Sequence, residues 1–260
     1  MAATVKPSSP SLQTGLGLYT GLQNYWLFQG DGTDLKGNNN FTVSDPGADT
    51  ITWPTVGDDG QLVDRDADAN SDRLTLSGMT SVGTEFSVAG RIYVRSMTGY
   101  GTIIGDVTTS EGLYAVSVAA DFRFEYYNAL STITYAVNNW YSFAFTYDNA
   151  DITKWRWFVN GVAGTTGVNT VADVAYDHSL SDASNNELDC RIAWLGRWNR
   201  QLTADEITSL HTDPYLLVTA AGGGGAGGRA GGAGKKGGGS RVGKNDLYPG
   251  GAQYQRRGGF

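Results

Sequence analysis

The residues best suited to chemistry in this sequence are acidic side chains in predicted turns, which could hold a metal ion. Asp34, Gly37 and Asn38 lie close together in the chain, and Asp189 begins a strand-like segment much later. A calcium ion takes six to eight oxygen ligands from carboxylates, amides and loop carbonyls. If calcium is a cofactor, the sequence predicts that it is bound at Asp34, Asn38 and Asp189. The alternative, which these residues favour, is an Asx-turn in which Asp34 caps its own loop.

A second acidic cluster has aspartates near alternating positions. Its members are Asp64, Asp66, Asp68 and Asp72. An EF-hand loop also needs a glycine at its sixth position and a glutamate at its twelfth, and this segment has neither. The pattern therefore favours a solvated acidic loop over a metal site.

Candidate catalytic groups are sparse. Hydrolysis of a glycosidic bond needs carboxyl groups on both sides of the scissile bond. Glu187 and Asp189 alternate along the chain, but no third acid follows at the next alternate position. His178 and His211 lie in unrelated contexts, so neither a catalytic triad nor a zinc site is indicated. The sequence therefore predicts that the chain is not an enzyme, and a glycoside hydrolase or lyase is the least favoured reading.

Aromatic residues form 12% of the chain, and exposed rings could stack on sugars. The candidates are Tyr126, Tyr127, Tyr135, Trp155, Trp157, Trp194 and Trp198. Two packed sheets also need large side chains between them, so core packing is the favoured interpretation of these rings. Trp140 is predicted to be buried between the sheets, because Ser142 and Ala144 leave room for large facing side chains.

Charge is distributed unevenly along the chain. Residues 219–260 carry a net charge of +6 in a glycine-rich segment, which leaves −13 on residues 1–218. Such a segment has little to bury, so it is predicted to be flexible or ordered only on assembly. Its predicted assembly residues are Arg229, Lys235, Lys236, Tyr248, Tyr254 and Phe260. The favoured partner is a neighbouring protein subunit, including a second copy of this chain, and nucleic acid is disfavoured.

Short alternating segments must position these side chains, and they predict an all-β fold. Strands are predicted at residues 86–94, 113–118, 122–127, 140–147, 155–159 and 190–198. Asn160 and Gly161 predict a type I′ hairpin turn, because both can adopt positive φ. Thr203 and Glu206 predict a capping box that starts a short helix, which ends at Pro214. In the last strand, Ile192, Trp194 and Trp198 are expected on one face.

The order of these segments resembles the laminin-G-like, concanavalin A-type jelly-roll family. The resemblance covers roughly residues 21–217. Its most specific parts are the strand from Trp140 to Asp148, the Asn160-Gly161 turn and the segment from Asn199 to Ile207. It implies a two-sheet antiparallel β-sandwich that recognises glycans or proteins, often with one bound calcium ion. One departure is Arg91, which stands in a strand where such proteins often carry Trp.

The resemblance and the charge pattern together predict domain organisation and function. We expect an N-terminal arm at residues 1–20, a jelly-roll domain at 21–218 and a basic tail at 219–260. The N-terminus has no apolar export signal, and no segment approaches the length of a membrane helix. The predicted function is therefore a structural or adhesion protein of a bacteriophage virion, made in the host cytoplasm, that contacts other virion proteins. The alternative is a free carbohydrate-binding, lectin-type module that binds a cell-surface glycan.

Overall fold

A computed structural model describes residues 6–7, 9–44, 51–65, 73–81, 83–106, 111–126, 129–171, 176, 178–182 and 188–220. The first nine strands are β1 Pro10–Leu12, β2 Leu22–Trp26, β3 Thr42–Ser44, β4 Ile51–Thr52, β5 Val63–Arg65, β6 Arg73–Thr75, β7 Glu85–Met97, β8 Tyr100–Asp106 and β9 Glu111–Val118. The next nine are β10 Asp121–Tyr126, β11 Ala129–Leu130, β12 Tyr135–Ala136, β13 Asn139–Asp148, β14 Trp155–Val159, β15 Val162–Gly167, β16 His178–Asp182, β17 Leu188–Trp198 and β18 Val218–Ala220. The helices are α1 Ala204–Thr212 and two 3-10 turns, Gly17–Tyr19 and Gly57–Asp59.

These strands form two antiparallel sheets, as the alternating sequence pattern predicted. Sheet I has the order β15-β14-β13-β7-β17-β5-β4, and β2 also pairs with β17. Sheet II has the order β11-β10-β9-β8-β16-β6-β3, and β12 also pairs with β10. A separate ribbon joins β1 to β18. The protein is therefore an all-β sandwich of the jelly-roll type, which confirms the predicted fold class.

The main core fills the space between the two sheets. Phe124 of sheet II stacks on Trp157 of sheet I, with ring centroids 5.8 Å apart. A second core lies on the outward face of sheet I, where Ile207 and Leu210 of α1 pack with Trp194. Sheet I therefore packs against sheet II on one face, and α1 covers part of the other face.

Local signals in the sequence produce the predicted turn and helix start. Asn160 and Gly161 have φ values of 51° and 75°, as the type I′ turn requires. Thr203 accepts a hydrogen bond from the Glu206 backbone N–H, and the Glu206 side chain accepts one from the Thr203 N–H. The capping box holds α1 at the end of β17, where it reaches the outward face of sheet I.

Strand β17 departs from the predicted alternation. Its pairing register shifts between Asp189 and Cys190 and again between Ile192 and Trp194. As a result, Ile192 belongs to the core between the sheets while Trp194 belongs to the core under α1. The expectation that both face the same side was wrong, because an extra residue at a β-bulge changes the side on which the following residues point.

Among the described residues, no helix has the length and apolar character needed to cross a membrane.

Candidate functional site

The Asp34 carboxylate is fully engaged by hydrogen bonds from its own turn and from β2. Its Oδ1 accepts the N–H groups of Tyr25 at 2.8 Å and Lys36 at 3.0 Å. Its Oδ2 accepts the Asn24 amide at 2.8 Å and two more backbone N–H groups, at 3.2 and 3.1 Å. Asp34 is 2% exposed. This is the loop-capping geometry that the sequence offered as the alternative to calcium.

The structure does not bring the three predicted calcium ligands together. The Asn38 side chain donates to the Gln23 carbonyl at 2.6 Å. Asp34 forms a β-bridge with Trp26, and Trp26 pairs with Leu195 on β17. Leu195 is six residues along β17 from Asp189. At about 3.3 Å per residue, Asp189 lies about 20 Å from that turn, and its carboxylate pairs with Arg95. No group of three His, Cys, Asp or Glu side chains suited to a metal occurs within the described ranges. Calcium binding itself stays a prediction.

Other sequence candidates fall partly outside the described residues. Asp66, Asp68, Asp72, Tyr127 and Glu187 lie there, as do all six predicted assembly residues of the tail. Asp64 is described, on β5, and its carboxylate pairs with Arg191 rather than facing an acidic loop.

Most of the predicted aromatic candidates belong to the core, as favoured from the sequence. Tyr126, Trp155, Trp157, Trp194 and Trp198 are all buried. Tyr135 is half-buried and packs on Phe122 and Phe124 at the rim of the main core. These rings are therefore used for packing.

Trp140 is the exception, and the prediction of its burial between the sheets was wrong. In β13, Tyr141, Phe143 and Phe145 are the residues that point towards sheet II. Trp140 alternates with these residues, so its side chain points to the opposite, outward face of sheet I. There the indole is half-buried at the edge of the second core. Ser142 and Ala144 share this outward face and accommodate α1, not sheet II.

An aromatic pair surrounded by charge occupies this outward face. Trp140 pairs with Tyr93 across β13 and β7, and their ring centroids are 5.5 Å apart. The Arg91 guanidinium lies 5.0 Å from the centre of the Trp140 ring. The Arg191 guanidinium lies 5.9 Å from the centre of the Tyr93 ring. We call these four residues the aromatic platform.

Strand pairing sets the geometry of the platform. Trp140, Tyr93 and Arg191 are direct neighbours across β13, β7 and β17, and Asp64 continues the row on β5. With about 4.8 Å between adjacent strands, the row is about 14 Å long. Rings and hydrogen-bonding groups therefore share one extended surface, which fits a chain-like ligand better than a single small molecule.

One side of the platform is bounded by the end of α1 and the segment after it. His211 Nδ1 lies 2.7 Å from the Ser142 hydroxyl oxygen. Burial and the nearby Arg91 lower the pKa of His211, so the imidazole is neutral at physiological pH. The Tyr215 hydroxyl donates to Asp59 at 2.7 Å, and Asp59 pairs with Arg91. The contact between the imidazole and the serine hydroxyl joins α1 to β13, and the geometry supports packing of α1.

Part of this site could have been found in the sequence. In the sequence, Arg91 and Tyr93 alternate with apolar residues such as Ile92, which indicates that they lie on the opposite face of the strand. Their proximity to Trp140 and Arg191 depends on the strand order, which brings β13 and β17 to either side of β7.

Comparisons with known proteins support the fold. No protein-family model matches the chain, and no curated protein matches it. Domain 4 of an extracellular GH43 arabinanase from Geobacillus stearothermophilus, solved with arabinotriose, is 17% identical. It has a TM-score of 0.57, with 73% of this chain and 98% of that chain covered.

Two further solved structures extend the comparison. The binding domain of paraclostridial mosquitocidal protein 1 has a TM-score of 0.58 and is 14% identical, covering 76% of this chain and 53% of that one. Trypanosoma rangeli sialidase has a TM-score of 0.56 and is 13% identical, covering 83% of this chain and 37% of that one. The chain thus spans about half of one of these proteins and about a third of the other. At these identities the similarity establishes the all-β sandwich fold and nothing further.

The same comparisons correct one prediction. The prediction that the chain is not an enzyme was wrong, because chains with this fold include parts of an arabinanase and a sialidase. The alternation of Glu187 and Asp189 concerns only acids that lie along one strand. A sandwich can present carboxylates from several strands and loops, so a missing pattern in one strand excludes no activity.

Proposed function

We propose that the chain binds a carbohydrate on the aromatic platform. The observation that carries this proposal is the pairing of Trp140 with Tyr93 on a sheet face that α1 leaves partly uncovered. Half-exposed rings on a rigid sheet offer an apolar surface that loses little conformational entropy on binding. The solved structures of similar fold include a domain determined with arabinotriose, which is consistent with a sugar ligand.

The flanking side chains supply the polar half of such a site. A sugar presents C–H groups on its ring faces and hydroxyl groups around its edge. The C–H face packs on an aromatic ring, and the hydroxyls need nearby donors and acceptors. Arg91 and Arg191 provide N–H donors beside each ring, and the buried Asp64 carboxylate holds the Arg191 guanidinium at the end of the row. The platform therefore combines both kinds of contact within about 14 Å.

Binding to a glycan array, followed by calorimetry on the hits, tests this function. Trp140→Ala and Tyr93→Ala should each weaken binding about tenfold or more, because each removes a stacking surface. Tyr100→Ala is the matched control, since Tyr100 is an exposed aromatic of sheet II, 48% exposed. Loss of binding in all three variants, or in none, would contradict the assignment. Incubation with the same glycans, with a reducing-end assay, shows separately whether any of them is cleaved.

The virion role, the contacts with other virion proteins and the location in a virion remain predictions from the sequence. They depend on residues 219–260, and residues 221–260 lie outside the described part of the chain. Membership of the laminin-G-like family also remains a prediction. The carbohydrate-binding function is favoured here because it uses residues that the structure places together.

A further inference from the structure

The charged groups around the aromatic platform form closed ion pairs. Arg91 Nε lies 3.1 Å from Asp59 Oδ1, and Arg91 Nη2 donates to Asp59 Oδ2 at 3.4 Å. Arg191 Nε lies 2.8 Å from Asp64 Oδ2. Both guanidinium groups of the platform therefore already have a carboxylate partner.

A third guanidinium, that of Arg95, completes this network on the same face of β7. Arg95 Nη2 lies 2.7 Å from Asp64 Oδ1, and Arg95 Nε donates to Asp189. The three arginines and the three aspartates balance in charge. Asp64 is at the centre, because both of its oxygens lie against an arginine while its side chain is only 9% exposed.

Of the further titratable groups near this surface, Lys6 carries part of a positive charge near neutral pH, whereas His211 and Tyr215 are neutral. Lys6 is buried, and its ammonium donates to the carbonyls of Phe28, Ala193 and Gln61. Burial lowers the pKa of Lys6 to about 7, against the opposing effect of Asp59. His211 is neutral, as described above, and burial raises the pKa of Tyr215, so its hydroxyl stays protonated.

From this balance we propose that the ligand of the aromatic platform is an uncharged glycan, an inference that rests on the proposed function. An acidic sugar would either bring a second carboxylate to an arginine whose charge is already balanced or separate an arginine from its aspartate. Separation would leave a poorly solvated carboxylate such as Asp59 without its arginine, which is strongly unfavourable. A cationic ligand would meet two guanidinium groups at the rings. Neutral hydroxyls require neither change, because a guanidinium has five N–H donors and the pairs of Arg91 with Asp59 and of Arg191 with Asp64 use only some of them.

This inference sets the expected salt dependence of binding. Contacts between an anionic sugar and arginine are weakened by screening, whereas stacking and neutral hydrogen bonds are not. For the natural chain, we expect the Kd for a neutral oligosaccharide to change less than about twofold between low and high salt. Recognition of an anionic glycan would instead weaken about tenfold or more over the same range.

The experiment measures binding of neutral and anionic oligosaccharides at both salt concentrations. Arabino-oligosaccharides, cello-oligosaccharides and galacto-oligosaccharides form the neutral series, and sialyllactose, oligogalacturonate and a heparin hexasaccharide form the anionic series. Asp64→Asn removes the shared counter-ion of Arg95 and Arg191 and should create salt-sensitive binding of the anionic series. If Asp64→Asn unfolds, Asp189→Asn removes a counter-ion of Arg95 only and should also create salt-sensitive binding of the anionic series. Asp31→Asn, an exposed aspartate outside the platform, is the control.

The outcomes separate the inference from the proposed function. Trp140-dependent binding of neutral glycans, insensitive to salt, supports both. Trp140-dependent, salt-sensitive binding of the anionic series by the natural chain overturns the uncharged ligand and leaves the carbohydrate site standing. Binding that Trp140→Ala does not weaken, or no binding of either series, overturns the carbohydrate site itself.

Discussion

Trp140 and Tyr93 lie side by side on the outward face of sheet I, with their ring centroids 5.5 Å apart. The two residues are 47 positions apart in the sequence and meet because β13 pairs along its whole length with β7. Tyr93 is also adjacent to Arg191 across the next strand pair. The central strand β7 thus assembles a surface from three separate parts of the chain.

The partial exposure of Trp140 predicts a small stability change on its removal. We expect Trp140→Ala to lower the free energy of unfolding by about 1–2 kcal/mol, because part of the indole is already in water. Trp157→Ala should cost about 3–5 kcal/mol, since that ring is 1% exposed in the main core. Denaturant melts of the two variants measure the difference. Equal losses would mean that Trp140 is a core residue after all.

The five hydrogen bonds to Asp34 predict a structural role for this carboxylate. Asp34→Ala leaves donors of β2 and of the turn unsatisfied, so we expect a loss of about 2–4 kcal/mol in the free energy of unfolding. Asp31→Ala is the control, because Asp31 is exposed and accepts one bond within its own turn. Thermal melts in calcium and in EDTA should coincide for the natural chain. A calcium-dependent shift that Asp34→Ala abolishes would instead support the calcium site predicted from the sequence.

The start of α1 should make stability depend on pH in the acid range. Burial raises the pKa of Glu206, but hydrogen bonds from Arg200 and the Thr203 N–H outweigh it and hold the pKa below its usual value. A lowered folded-state pKa stabilises the protein above the unfolded-state value, and this contribution is lost as the pH falls through the folded-state value. In urea melts at about pH 7, the natural chain should have a higher free energy of unfolding than Glu206→Gln. At about pH 3 this difference between the two proteins should shrink. A constant difference between them would show that Glu206 does not titrate with folding.

The single cysteine should be inert in the folded protein. Burial raises the pKa of the Cys190 thiol to about 12, and the side chain has no exposed surface. Because the thiolate is the reactive form, we expect no labelling by a thiol reagent at neutral pH until the chain unfolds. Mass spectrometry with and without denaturant checks this. Rapid labelling of the native protein would contradict the burial of β17 between its neighbours.

The basic tail provides the test of the assembly role. Thr219 and Ala220 pair with Ser11 and Pro10, so a cut that spares the domain falls after Ala220. We expect this truncation to leave the melt unchanged and to abolish oligomers or incorporation into particles, because the +6 charge and its apolar anchors are removed. Normal assembly of the truncated chain would refute the role predicted for the tail.

Local chemistry in the sequence was sufficient for much of the fold. The positive φ values of Asn160 and Gly161 follow from residue type alone, and so does the capping box of Thr203 and Glu206. Alternation also placed Arg91 and Tyr93 opposite the core residues of β7. These features depend only on residues a few positions apart in the chain, so they can be predicted from the sequence alone.

Tertiary structure decided the rest. The side on which Trp194 lies depends on bulges in β17, and these arise from pairing with other strands. Trp140 packs outward because Tyr141 and Phe143, at the opposite parity, fill the space against sheet II, and alternation does not state which face is which. Asp34 is saturated by donors that include the backbone of Tyr25, a contact that exists only once β2 lies beside the turn. The platform likewise exists only when β13, β7 and β17 are adjacent, because long-range pairing sets which side chains meet.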